Sequence, residues 1–106
     1  MDLNGAVALV TGGNGGLGQR ICHALAREGV HLAVMYARSR EQAEGVASEL
    51  ASRYQIKAKA FGCDIADGAA VERLVDDVTK AFGRLDILIN DAAYNISIPF
   101  GAISTA

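Results

Sequence analysis

The sequence predicts an α/β domain on a doubly wound parallel sheet with strand order 3-2-1-4. Apolar runs of strand length alternate with amphipathic stretches of helical period. The connections between them are short, and the first apolar run passes directly into a glycine-rich turn. Short strand-to-helix connections impose right-handed crossovers, and helices on both faces leave the strands almost wholly apolar.

Ala6-Val7-Ala8-Leu9-Val10 reads as the first strand and Thr11-Gly12-Gly13-Asn14-Gly15-Gly16-Leu17-Gly18 as the turn after it. Leu17, Ile21, Ala24 and Leu25 then recur at helical spacing, and Gly29 supplies a stop. Val30 to Tyr36 is a largely apolar second strand. Ser39 is placed to cap the next helix, with Gln42 three residues on as the reciprocal partner of a capping box. That helix would bury Ala43, Val46, Ala47 and Leu50, while Gly45 weakens it.

A third strand is expected at Ile56 to Phe61, leaving the sheet through Gly62-Cys63-Asp64-Ile65. Asp67 caps a third helix with Val71, Leu74, Val75, Val78 and Phe82 inward, closed by Gly83. Asp86-Ile87-Leu88-Ile89-Asn90 is the fourth strand, followed by Asp91-Ala92-Ala93 and a loop containing Pro99. Residues 1–106 thus form one domain, without internal repeats, low-complexity tracts or linkers.

Bulk properties exclude several classes of function. The 106 residues are 51% hydrophobic with a formal net charge of −2, and the isoelectric point is about 5.6. Charges are interspersed, so no basic stripe invites nucleic acid or an anionic membrane. No apolar run approaches the roughly 18 residues of a membrane span, and Met1-Asp2-Leu3-Asn4 lacks the basic start and apolar core of a signal peptide; a cytoplasmic location is expected. Cys22 and Cys63 show no metal-ligand spacing and read as buried thiols, and His23 and His31 stand apart from acidic clusters or a nucleophile, which favours structural roles.

The glycine-rich turn is the chemically pointed segment. Where a strand passes into a helix, glycine permits positive φ and close backbone approach, while the helix N-terminus offers unpaired N–H groups and partial positive charge to a pyrophosphate. Its spacing fits both Gly13-x-Gly15-x-x-Gly18 and Thr11-Gly12-x-x-x-Gly16-x-Gly18. A glycine-rich turn can also simply join a strand to a helix, and the context decides between the two.

The second spacing resembles the TGxxxGxG signature of the short-chain dehydrogenase/reductase family, and the resemblance extends from about Ala6 to Ala93. Cys63-Asp64-Ile65 looks like the family's acidic position after the third strand. Gly83-Arg84-Leu85-Asp86-Ile87-Leu88-Ile89-Asn90-Asp91-Ala92-Ala93 resembles its G-x-x-D-x-L-V-N-N-A-G segment, with Asp91 in place of the second Asn and Ala93 in place of Gly. The resemblance implies a Rossmann-type fold, incomplete relative to the full family fold, that binds a nicotinamide cofactor. The implied contacts are Gly12, Asn14, Gly15, Gly16, Leu17 and Gly18 in the turn, Tyr36 at the second strand, Asp64 and Ile65 at the adenine, and Asn90 and Ala92 beside the nicotinamide ribose. Asp86 is expected to support the sheet or its turn. The pattern around Tyr36 to Ala43 is most similar to the 3-oxoacyl-carrier-protein reductase branch.

Cofactor preference follows from charge at the end of the second strand. An acidic residue there would hold a ribose 2′-OH, but Tyr36-Ala37-Arg38-Ser39-Arg40 carries two cations instead. Charge-assisted bonds to a 2′-phosphate are worth roughly 1.5–3 kcal/mol each, so NADP(H) is expected over NAD(H), with Arg38 the leading contact and Ser39 second. The alternative is that Arg38 and Arg40 are solvated charges opening a helix, where cations sit slightly unfavourably.

The family's reaction is hydride transfer between a nicotinamide and a carbonyl or alcohol, using a Ser and a Tyr-x-x-x-Lys pair. Neither Tyr36, Tyr54 nor Tyr94 is followed by Lys four positions on, so no catalytic residue is assigned. Ile87, Leu88 and Ile89 read as a strand buried on both faces yet lying at a sheet edge, which favours pairing with another chain and a homo-oligomer. Three readings follow: the cofactor-binding portion of an NADP(H)-dependent oxidoreductase, which would take a small carbonyl or alcohol substrate, a non-catalytic NADP(H)-binding or assembly protein, or a nonfunctional remnant that does not fold alone.

Overall fold

A computed structural model of the chain describes residues 2–12, 15–64 and 67–90. In chain order the elements are β1 (Val7–Thr11), α1 (Gly16–Arg27), β2 (His31–Tyr36), α2 (Arg40–Tyr54), β3 (Ala58–Gly62), α3 (Gly68–Phe82) and β4 (Ile87–Asn90). The strands form one sheet in the order β3-β2-β1-β4, and every pairing is parallel, with Leu9 opposite both Ala33 and Leu88. The predicted topology is therefore the one observed. Among the described residues no helix is long and apolar enough to cross a membrane.

Alternation along the strands sends side chains to two separate cores. Ala8, Val10, Leu32, Val34 and Ile89 pack under α1 and α2 against Cys22, Ala26, Val46, Ala47 and Leu50. On the opposite face Val7, Leu9, Ala33, Met35 and Leu88 pack against Leu74 and Val78 of α3. Each large aliphatic side chain removed from water contributes roughly 1.5–3 kcal/mol, so both faces supply stability.

The face of α1 differs from the periodicity reading. Gly18, Cys22 and Ala26 are its buried residues, whereas Ala24 is exposed and Leu17 is 56% exposed. Small side chains let the helix settle close to the sheet, rotating the larger Leu17 to the rim. Ile21 and Leu25 still flank the core. His23 joins α1 to α2, its Nδ1 lying 2.8 Å from the Tyr54 hydroxyl, with the rings edge-on at 5.5 Å.

Helix ends show how the chain reverses. After Arg27, the Gly29 N–H donates to Ala26 O at 2.9 Å and the Val30 N–H to Leu25 O at 3.2 Å. This is a Schellman closure, and it requires the left-handed conformation Gly29 adopts at φ 84°. Asp67 caps α3 as expected, its Oδ1 accepting from the Ala69 N–H at 3.0 Å. Ser39 occupies the N-cap position of α2 but makes no side-chain cap bond. Its backbone, at φ −89° and ψ 75°, lies away from the extended conformation in which a capping side chain reaches the first turn, so the expected capping box does not form.

Gly45 sits in the interior of α2, and a Cβ there would meet nothing within 4 Å. Gly45→Ala should therefore stabilise the protein by about 1 kcal/mol through helix propensity alone. A thermal midpoint raised by roughly 4–8 °C is the expected readout; an unchanged or lowered midpoint would contradict the open surroundings of this position.

Candidate functional site

A parallel sheet of order β3-β2-β1-β4 reverses direction at β1: the chain leaves β1 for β2 on one side and returns to β4 on the other. The carboxyl ends of β1 and β4 flank that switch point, where open α/β sheets bind ligands in a crevice. Thr11 closes β1 opposite Asn90, which closes β4. The buried Thr11 side chain donates through Oγ1 to Asn90 Oδ1 at 3.0 Å and lies 3.4 Å from Ile89 O. This bond fixes the Asn90 carboxamide across the switch point. Sequence reasoning placed Asn90 but gave Thr11 only a place in a motif; a hydroxyl ending an otherwise apolar strand was the available signal.

The chain then turns at Gly12, whose φ is 69°, a conformation that disfavours any residue with a Cβ. The Gly15 N–H donates back to Gly12 O at 3.0 Å, and Gly15 O accepts from the Gln19 N–H at 2.8 Å. A Cβ on Gly15 would lie 3.4 Å from Gly12 O, whereas one on Gly16 would meet nothing. Gly15 is the N-cap of α1 and offers no capping side chain, and the first turn carries no acidic residue. The positive end of α1 is therefore uncompensated by its own sequence beside the switch point.

The remaining predicted residues lie along the same edge. Tyr36 ends β2, is half-buried, and accepts through its carbonyl from the Cys63 N–H at 3.0 Å. Arg38 and Ser39 follow, both exposed. The two cations are not equivalent: Arg40 Nε pairs with Glu44 Oε1 at 3.0 Å along α2, whereas Arg38 has no ion pair among the described residues. Asp64 follows β3, its carbonyl accepting from the Asp67 N–H at 3.1 Å. Gly12, Gly15, Gly16, Leu17, Gly18, Tyr36, Arg38, Ser39, Asp64 and Asn90 are thus all carried at or just beyond the carboxyl ends of the strands. Asn14, Ile65 and Ala92 lie outside the described residues, as do Gly13, Asp91 and Ala93.

Other polar groups serve the scaffold. Asp86 Oδ2 accepts from the Val7 N–H at 2.9 Å and from Arg84 Nε at 2.7 Å, with Arg84 Nη2 on Oδ1 at 2.9 Å. Those bonds, the Arg84 side chain first and the Val7 amide second, hold the Asp86 carboxyl below its ordinary pKa. His31 Nδ1 accepts from the Lys57 N–H at 2.9 Å, which places the proton of the neutral ring on Nε2. Cys22 is buried, while Cys63 is only half-buried. Burial first, then Asp64 and Asp67, push the Cys63 thiol up, away from the thiolate form a nucleophile needs. Among the described residues no group of three or more His, Cys, Asp or Glu could hold a metal ion.

The fold and its switch-point turn define the Rossmann class of α/β domains. The sequence profile of the short chain dehydrogenase family matches residues 6–106, and the chain belongs to that family of oxidoreductases. It is 39% identical over 93 residues to an NADP-dependent mannitol dehydrogenase of Alternaria alternata, covering 86% of this chain and 35% of the relative. It is 40% identical over 85 residues to a 3-oxoacyl-(acyl-carrier-protein) reductase of Staphylococcus aureus, covering 80% and 34%.

Among solved structures, a short chain dehydrogenase of Burkholderia cenocepacia in complex with NADP superimposes with a TM-score of 0.82 at 41% identity, covering 89% of this chain and 38% of that one. An NAD+-bound xylitol dehydrogenase gives a TM-score of 0.80 at 34% identity, covering 89% and 35%. The chain therefore spans about a third of the length of the relatives it matches.

Proposed function

We propose that this chain is the NADP(H)-binding portion of a short-chain dehydrogenase/reductase that transfers hydride between the nicotinamide and a carbonyl or alcohol substrate. The observation that carries this reading is one edge of the sheet. There the left-handed Gly12 turn, an α1 N-terminus without an acidic first turn and the exposed Arg38 are all found. Such a turn fits a pyrophosphate, which the first N–H groups of α1 would hold. Arg38 and Ser39 would take the adenosine 2′-phosphate, Asp64 and Ile65 the adenine, and Asn90 and Ala92 the nicotinamide ribose. When bound, the cofactor supplies or accepts the hydride.

Similarity does not select the cofactor by itself, because the related structures include one with NADP and one with NAD+. Arg38 favours NADP(H): it stands where an acidic residue would hold an unphosphorylated ribose, and Glu44 engages its neighbour Arg40 rather than Arg38. Calorimetric titration of the natural full-length protein should give NADPH tighter than NADH by about tenfold to a hundredfold. Arg38→Ala should erase most of that difference while leaving NADH binding in place. Equal affinity for both cofactors, or an Arg38→Ala variant with its preference intact, would overturn the assignment.

A further inference from the structure

β3 ends in a glycine that its backbone does not require. Gly62 is not among the residues at positive φ, and a glycine inside a strand weakens it unless something must come close. What comes close is Tyr36, opposite it in register. A Cβ on Gly62 would lie 3.0 Å from the Tyr36 Oη, 3.1 Å from Cζ and 3.2 Å from Cε2. Those separations are tighter than an ordinary van der Waals contact, so a side chain at 62 would require the Tyr36 ring to give by a few tenths of an ångström. Tyr36 is packed from beneath by the core under α1 and α2. A side chain at 62 would therefore shift the ring of Tyr36, which ends β2 two residues before Arg38.

We propose that Gly62 is a positioning residue for cofactor selectivity: by leaving room beside β3 for the Tyr36 ring, it keeps the space beside Arg38 open to the adenosine 2′-phosphate of NADP(H). This inference rests on the function proposed above. Gly62 need not touch the cofactor; it acts through Tyr36. The exposed edge position of Gly62 means that a β-branched residue there suits the strand itself, which separates an effect on the ring from an effect on folding.

The test uses Gly62→Ala and Gly62→Val in the natural full-length protein. NADPH and NADH affinities are measured by calorimetry, the thermal midpoint by calorimetric scanning, and the Tyr36 ring resonances by NMR without cofactor. The expected result is a graded displacement of the Tyr36 resonances, with NADPH affinity falling about threefold for alanine and about tenfold for valine. NADH affinity should change less, and the midpoint should hold. If valine prevents folding, the alanine variant gives the same comparison at smaller amplitude. Displaced Tyr36 resonances with unchanged NADPH affinity would overturn this inference alone, as would resonances that do not move. A wild-type protein that binds neither cofactor, or both equally, would overturn the proposed function and this inference together.

Discussion

Gly29→Ala is expected to destabilise the protein by about 2–4 kcal/mol, a large fraction of the 5–15 kcal/mol typical of a domain. Two costs add at this position. Its φ of 84° puts any Cβ in the left-handed region, and that Cβ would run into the Asn4 side chain and lie 3.3 Å from Asn4 Cα. The segments cannot simply part, because the Gly5 N–H donates to Gly29 O at 3.0 Å and the His31 N–H to Ala6 O at 2.8 Å. Gly83 separates the two costs: its φ is also 84°, yet its Cβ would meet nothing within 4 Å. Gly83→Ala should cost only the conformational part, about 1–2 kcal/mol, in denaturant titrations run side by side. Equal losses at the two positions would show that the Asn4 contact carries no weight. Adding Asn4→Ala to Gly29→Ala should recover part of the difference.

Asp86→Ala is expected to cost about 1–3 kcal/mol, because it leaves the Val7 N–H without its acceptor beside a buried residue. The Arg84 pair contributes little of this, since its side chains are 60% and 31% exposed and ion pairs open to water are weak. A pH dependence follows. Because the folded-state pKa of Asp86 is depressed, its stabilisation is fully present above the ordinary carboxylate value of 3.8 and is lost as pH falls through the lower folded-state value. Acid titration of the unfolding free energy should therefore be shallower in Asp86→Asn than in the wild type below about pH 4. Parallel curves would mean that the carboxylate does not hold β1 through its charge.

Much of this architecture was legible because strand, glycine turn and helix recur with short connections, and those constraints leave few topologies. The strand boundaries fell within one or two residues, and Asp67 and Gly83 terminated α3 as read. What periodicity missed has common physical roots. Leu17 and Ala24 scored as an apolar face of α1, but Gly18 and Cys22 sit deeper, because small residues gain more from close approach than their hydropathy suggests. The end of α2 gave no glycine signal: the exposed Gln55 takes the left-handed C-cap position at φ 58°, its N–H donating to Ala51 O. Tyr36 and Gly62 are 26 residues apart in the sequence, so their mutual dependence became visible only once β2 and β3 were paired. Arg38 was already the preferred 2′-phosphate contact by sequence, but the engagement of Arg40 by Glu44 became visible only with the i,i+4 geometry of α2.

The four residues of β4 carry a further consequence. Ile87 and Ile89 face one core and Leu88 the other, and because all three are large and aliphatic, a slide of one residue along β1 would still bury apolar side chains on both faces. Hydrophobic alternation, the usual arbiter of alignment between strands, is silent here. The arbitration falls to the polar residues at either end: Asp86 on the Val7 amide and Asn90 on the Thr11 hydroxyl. A slide breaks both at once. The greasy middle of β4 should thus accept exchanges among Ile, Leu and Val with little loss, while its two polar ends keep the strand in phase and the carboxamide of Asn90 at the switch point.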